Sequence, residues 1–310
     1  MAIVGVEIND FLAFEGKFEA DFCPGVNVLM GDNGTGKTTI LKGMYANVKV
    51  KHDDYGATVV SLGKLTVKFP PLAEYLERIS CKFSKEPQGI QCVYIPEKDI
   101  LEHARGLLPF IEQKHTGFNE LYKDVLVSAF DVQTKAQTEM QEYIGDKITN
   151  IIDGFIEWDL GTGSFYTVKT DGRRVPFAYE ASAYKKLGYL GLLVACGRFE
   201  PGTILFWDEP ENSLNPELVS VIVDILLKLA KNGVQVFIAT HAYDVARYFD
   251  VREDKSIPVL FHNLTKVPDG GIACTSSPEY VKLPNNLLDE ANEKLFKAVV
   301  ADALGASGNE

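Results

Sequence analysis

Two hydrophobic periods divide this chain, and their order along it predicts the architecture. Between residues 2 and 30 apolar side chains alternate with polar ones: Ile3, Val4, Val6 and Ile8, then Phe11, Phe14, Phe18 and Phe22, spaced by Glu, Asn, Asp and Lys and broken at Pro24-Gly25. That period suits pleated strands with one buried face, and it predicts an antiparallel pair feeding a third strand over Val26-Asn27-Val28-Leu29-Met30. Phe11 and Phe14 could stack on an adenine, but aromatics on an amphipathic strand read more simply as core. From 49 to 98 the apolar runs stay short, predicting strands over 57–61, 64–69, 79–83 and 91–95 and one short helix over 72–79.

From 99 to 155 the period becomes helical, carried by Leu101, Leu107, Leu108, Phe110 and Ile111, then Leu121, Val125, Leu126 and Ala129, then Met140, Tyr143, Ile144, Ile148, Ile151 and Ile152. Sustained heptads are missing. As one antiparallel pair each helix would reach about 40 Å, so the pattern predicts a compact helical insertion and not a long coiled-coil arm.

A hairpin is expected over 156–177, turning at Thr170-Asp171-Gly172. Ser182 then stands before a helix over 183–193 with one strongly apolar side. A serine there reads most simply as an N-cap, and Lys185 and Lys186 as a solvated pair. The run 203–207 is wholly apolar and ends in Asp208-Glu209, the pattern of a buried parallel strand with acids at its C-terminal end. A loop over 210–216, a helix over 217–231 stopped by Asn232-Gly233, and a second buried strand over 234–239 capped by Thr240-His241 follow. A helix over 242–249, strands over 259–264 and 271–275, a helix over about 286–304 and a frayed tail complete the chain. The alternation of strands and helices predicts an α/β fold with a mixed central sheet flanked by helices, an N-terminal antiparallel β-subdomain and a short helical insertion at 99–155.

Composition narrows the function classes. The 310 residues, 46% of them hydrophobic, suffice for a substantial core in one large α/β domain or two smaller ones. A net charge of −12 argues against a protein that coats nucleic acid. Cys23, Cys81, Cys92, Cys196 and Cys274 form no C-x-x-C pair, which predicts reduced thiols and a cytosolic, cytoplasmic location. The longest apolar stretch, 187–196, is too short to span a bilayer, and no leader is expected.

The candidate chemistry sits after the third strand. Gly31-Asp32-Asn33-Gly34-Thr35-Gly36-Lys37-Thr38 matches G-x-x-x-x-G-K-[ST] and lies between a predicted strand and a predicted helix. Glycines there let several N–H groups converge on a phosphate while the helix N-terminus adds partial positive charge. Asn33, Gly34, Thr35, Gly36, Lys37, Thr38 and Thr39 are therefore expected to bind nucleotide, with Lys37 on the β- and γ-phosphates and Thr38 on Mg²⁺. Paired with that loop, Asp208 is expected to hold Mg²⁺ through water and Glu209 to polarise the water that attacks ATP. His241, at the end of the next strand, is placed to meet the γ-phosphate.

With GDNGTGKTT at 31–39, ILFWDEPENSLNP at 204–216 and ATH at 239–241, the chain resembles the ABC-type ATPase superfamily, in the branch of the RecF, SMC-like and OLD-family ATPases. The resemblance covers nearly the whole chain and implies a single ABC-type ATPase head over 1–310, with 99–155 standing where relatives carry coiled-coil arms. It implies that two copies sandwich two ATPs, with Ser182 of one capping the γ-phosphate held by the other; Tyr184 replaces the glycine of the usual S-x-G pattern. It also sets Glu97 where relatives carry a glutamine, as a contact to Mg²⁺ or the attacking water, or as a surface acid. The expected activity is a Mg²⁺-dependent ATPase switch, a homodimer or higher homo-oligomer, controlling a separate effector such as a nuclease or toxin in prokaryotic anti-phage defence. About fifty residues follow the last ATPase strand, too few for the Toprim nuclease of the OLD family. The alternative is a DNA-binding repair or end-recognition ATPase using Lys49, Lys51, Arg173, Arg174, Lys185 and Lys186. A transporter motor is the weakest reading, and no membrane partner is expected.

Overall fold

The computed structural model describes residues 2–52, 75–76, 78–85, 90–105, 120–130, 137–252, 254–268 and 270–303. The strands expected over 57–61 and 64–69, most of the helix at 72–79, and Leu107, Leu108, Phe110 and Ile111 lie outside the described residues.

Strand β1 (Ile3–Phe11) pairs antiparallel with β2 (Phe14–Asp21) and, on its other edge, with β4 (Ile79–Phe83), giving a three-stranded sheet ordered β2-β1-β4. The central sheet is built from β3 (Val26–Gly31), β5 (Cys92–Ile95), β9 (Ile204–Asp208), β10 (Gln235–Ala239), β11 (Val259–Lys266) and β12 (Ile272–Ser277). Its order is β12-β11-β3-β10-β9-β5; β12 runs antiparallel to β11 and the other pairs are parallel, so the sheet is mixed. Strands β3, β9 and β10 are buried along their whole length, as their unbroken apolar runs require.

The two faces of this sheet belong to different cores, because successive side chains point to opposite sides. Val28, Met30, Leu205, Trp207, Val236 and Ile238 join the larger core beneath the helices. Leu29, Phe206, Phe237 and Ala239 join the core shared with β1, β2 and helix α1 (Lys37–His52). The larger core is closed by α2 (Glu120–Phe130), α3 (Glu139–Ile152), α4 (Ser182–Ala195), α5 (Pro216–Lys231) and α6 (Tyr243–Asp250). A last helix, α7 (Leu287–Ala303), follows the sheet.

Helix α3 starts at a capping box in which Thr138 accepts from Gln141 N and the Gln141 side chain accepts from Thr138 N, which satisfies two otherwise orphaned donors. Its Ile144, Ile148 and Ile152, spaced four apart, face α4, where Gly188 and Gly191 leave room for Ile156 and Ile148. The second half of the expected insertion therefore packs into the larger core. The helical pattern also stops earlier than its periodicity predicts: Asp153 turns left-handed at φ 52° and β6 (Gly154–Asp159) begins, so Phe155 is a strand residue. With β7 (Ser164–Lys169) and β8 (Arg174–Pro176), β6 forms a small antiparallel meander. No helix among the described residues is long and apolar enough to cross a membrane.

Candidate functional site

The C-terminal ends of β3, β9 and β10 bring the chemistry together, because these neighbouring parallel strands all deliver their last residues to one edge of the sheet. After β3 the chain turns through residues 31–36. Gly36 adopts φ +85° with the Phe14 ring packed beneath it, so closely that a Cβ would meet ring carbons at 2.4 Å. Glycine is thus required both by conformation and by space, and Phe14 is a buried support of the loop. The N–H groups of Gly34, Gly36, Lys37, Thr38 and Thr39 find no acceptor among the described residues. Unpaired donors converging at a helix N-terminus make an anion cradle. Lys37 Nζ folds back into it, donating to Gly31 O at 2.7 Å and Asp32 O at 3.0 Å. Burial lowers its pKa, and Glu209, Asp208, Asp32 and Glu211 act against that fall.

Across the cradle, Thr38 Oγ1 donates to the Asp208 carboxylate, with 3.0 and 2.9 Å to its two oxygens, and Tyr94 OH reaches Oδ2 at 3.4 Å. Burial raises the pKa of Asp208, and the Thr38 hydrogen bond acts against it. Glu209 follows in a left-handed conformation, φ 49°, with its N–H donated to Ala239 O at 2.8 Å. This conformation costs energy in a residue that is not glycine. It is held from several sides: Lys186 Nζ donates to Glu209 O at 2.7 Å, and His241 Nδ1 lies 3.1 Å from Glu209 Oε1. Glu211 Oε1 accepts from Thr240 Oγ1 at 2.6 Å and from His241 N at 3.4 Å, while Glu211 Oε2 is buried without a partner. Glu97 Oε1 accepts from Asn212 Nδ2 at 3.2 Å, which brings it to the same loop.

The structure therefore gathers Lys37, Thr38, Asp208, Glu209 and His241 at one edge and links Glu97 to their loop. Ser182 is exposed at the first turn of α4. It does not cap that helix: the N-cap is Ala181, without a side-chain hydrogen bond, and Ser182 is the first helical residue. Tyr184 lies partly buried against the larger core with Lys169 Nζ 5.5 Å from its ring centre.

Lys185 and Lys186 overturn the expectation of a solvated pair. Both are under 10% exposed; Lys185 pairs with Glu102, and Lys186 grips the Glu209 backbone. Burial lowers Lys186 to about 8, opposed chiefly by Glu211 and Glu209. No local signal marks Lys186, since its partner lies 23 residues away. Glu211 and Tyr94 were likewise missed as site residues. Arg173 pairs with Asp171, Arg174 with Asp159 and Lys49 with Asp124, so these cations carry their own counter-ions. The Lys51 side chain lies outside the described residues.

A hydroxyl and a carboxylate in contact suit a hard cation that takes its other ligands from water and phosphate, as Mg²⁺ does. Among the described residues no group of three or more His, Cys, Asp or Glu could hold a metal by itself.

Residues 93–244 match the family described as "AAA domain, putative AbiEii toxin, Type IV TA system", and residues 6–45 match a family described as "AAA domain". Both matched segments are similar to AAA-type ATPase domains. The AAA-type segments contain all the residues gathered above: the glycine loop and Thr39 in the first, Glu97, Ser182, Asp208, Glu209 and His241 in the second. The chain is 34% identical over 88 residues to the arginine transport ATP-binding protein ArtP of Escherichia coli K12, a match covering 28% of this chain and 34% of ArtP. It is 36% identical over 94 residues to the glutamate transport ATP-binding protein GluA of Corynebacterium efficiens, covering 30% and 34%. It thus spans about a third of the length of these curated relatives. The crystal structure of an SMC head bound to the C-terminal winged-helix domain of ScpA superposes with a TM-score of 0.52 at 13% identity, covering 89% of this chain and 98% of that one. The fold is that of an SMC head, a mixed sheet flanked by helices with an antiparallel N-terminal sheet.

Proposed function

We propose that this chain is an ATP-hydrolysing switch that dimerises head to head on ATP and controls a partner effector. The observation that carries this reading is the contact of Thr38 with Asp208 beside a cradle of unpaired N–H groups, next to a Glu209 held by His241 and Lys186. Residues 33–39 bind the triphosphate, Lys37 leaving the carbonyls of Gly31 and Asp32 for the β- and γ-phosphates. Thr38 and Asp208 are the residues that would hold Mg²⁺, which when bound would neutralise phosphate charge. Glu97, hydrogen-bonded to Asn212 of the loop after β9, would be a further contact to that ion. Glu209 accepts a proton from the attacking water, and His241, paired with it, contacts the γ-phosphate.

The exposed, uncapped start of α4 supports the assignment of Ser182 to the triphosphate of a second copy. Residues 99–155 act as a helical lobe of the single ATPase domain. The match to a family described as a putative toxin of a type IV TA system favours a toxin-type effector, and we place the switch in prokaryotic anti-phage defence on the resemblance of its motifs. The cations considered for DNA that are described are buried or paired, and this weighs against the DNA-repair reading.

The test is Glu209→Gln, which should bind ATP, hydrolyse it at least 100-fold more slowly and accumulate as dimers. One unchanged mass by light scattering with and without ATP would sink the dimer model.

A further inference from the structure

One cation beside the glycine loop is left without a role by the reading above. Lys266 ends β11, the strand that pairs with β3 on the side away from β10 and β9. The parallel register sets Leu264 beside Gly31, and the two residues that follow carry the chain along the loop. Lys266 Nζ lies 3.6 Å from where a Cβ on Gly34 would stand. Unlike Lys37, which is buried and hydrogen-bonded to carbonyls, Lys266 is exposed and pairs with no carboxylate among the described residues. A cavity of about 440 Å³ opens there, lined by Asp32, Thr35, Leu264 and Lys266 among others.

We propose that Lys266 is a second phosphate-binding lysine, holding the terminal phosphate of the bound nucleoside triphosphate from the β11 side. This rests on the proposed ATP site. Two lines of reasoning support it. An ammonium with no carboxylate partner among the described residues, set beside donors that already favour an anion, suits an anionic ligand. It also stands at the 31–34 end of the loop, where Lys37 Nζ lies, and the loop lysine serves the β- and γ-phosphates. The opposite flank is richer in carboxylate, with Asp208, Glu209, Glu211 and Glu97 against Asp32 on the β11 side, so a triphosphate seated between the flanks gains most from a cation on the β11 side.

The experiment is titration calorimetry of the full chain with ATP and with ADP, comparing wild type, Lys266→Ala, Lys266→Arg and Lys37→Ala. Lys266→Ala should weaken ATP about fivefold, the upper end for a solvent-screened ion pair, and ADP less than twofold. Lys266→Arg should keep wild-type affinity, and the ATP difference should close near 1 M salt, where screening acts within about 3 Å. Equal losses for ATP and ADP, or no loss for either, would overturn the assignment while Lys37→Ala still abolished binding. If wild type itself bound no ATP, the proposed function would fall first.

Discussion

The two ends of the central sheet treat buried polar groups in opposite ways. At the N-terminal end Gln235 donates to Ile3 O and Cys23 O, both at 2.8 Å, and accepts from Ile3 N at 2.8 Å. Asn27 exchanges hydrogen bonds with the Cys23 backbone, 2.9 Å each way, and His262 bridges Asn27 Oδ1 at 3.3 Å and Ser276 Oγ at 2.8 Å. Asn27 Oδ1 can only accept, so Nε2 of His262 carries the proton and Nδ1 accepts from Ser276. At the C-terminal end donors stand unpaired in the loop, Glu211 Oε2 is unpaired, and Glu209 adopts a costly backbone conformation. The N-terminal end pairs most of its buried polar groups, Thr203 Oγ1 being an exception, and holds the molecule together, whereas the C-terminal end keeps free donors and charges for something that arrives from outside.

Variants at the two ends should separate cleanly. Glu209→Gln should slow turnover by about 10²- to 10⁴-fold and leave the urea midpoint in place; a large stability change would make this end structural after all. Gln235→Ala strips three hydrogen bonds from buried backbone groups and should cost about 3 kcal/mol, with turnover per folded molecule unchanged in the same assay.

Acid should act through the N-terminal end. Burial lowers His262 from 6.5 to about 3, so between those values the unfolded chain binds a proton that the folded chain refuses. The contribution of His262 is therefore complete above pH 6.5 and lost as pH falls toward 3, about 2 kcal/mol by pH 5. Urea melts of wild type and His262→Gln at pH 7 and 5 check it: the variant should lose less. The smallest effect is expected for Lys186→Met, which frees the Glu209 carbonyl and should lower kcat about tenfold with little change in KM. Stability should stay level or rise, because a hydrophobe replaces a buried charge; restored kcat in Lys186→Arg would confirm positioning.

The sequence made the site's first partners legible because each lies on a short local signal. The glycine spacing marks the loop, and apolar runs ending in Asp208-Glu209 and in His241 mark two strand ends. The fold class was legible from the same runs, since strands buried on both faces read as unbroken apolar stretches. What escaped depends on distant neighbours. Lys186 looks like any solvated helical lysine until α4 is packed against the turn after β9. Ser182 looks like a cap because serine often is one, whereas Ala181 takes the extended conformation that precedes the helix. The end of α3 was placed three residues late, because Phe155 continues the apolar spacing of Ile151 and Ile152 although it already lies in β6.

The strand that carries the glycine loop is third in the chain, yet both its neighbours, β10 and β11, come from the last third. On a ribosome adding about 5–20 residues per second, β3 waits on the order of tens of seconds for a partner after it emerges, an apolar strand with two bare edges. The loop cannot take its final shape before Leu264 has been made and laid beside Gly31. A nascent chain of this protein therefore has no finished phosphate cradle until residue 264 has been made, and nucleotide cannot steady it before then; in the meantime β3 is an exposed apolar strand of the kind that aggregates.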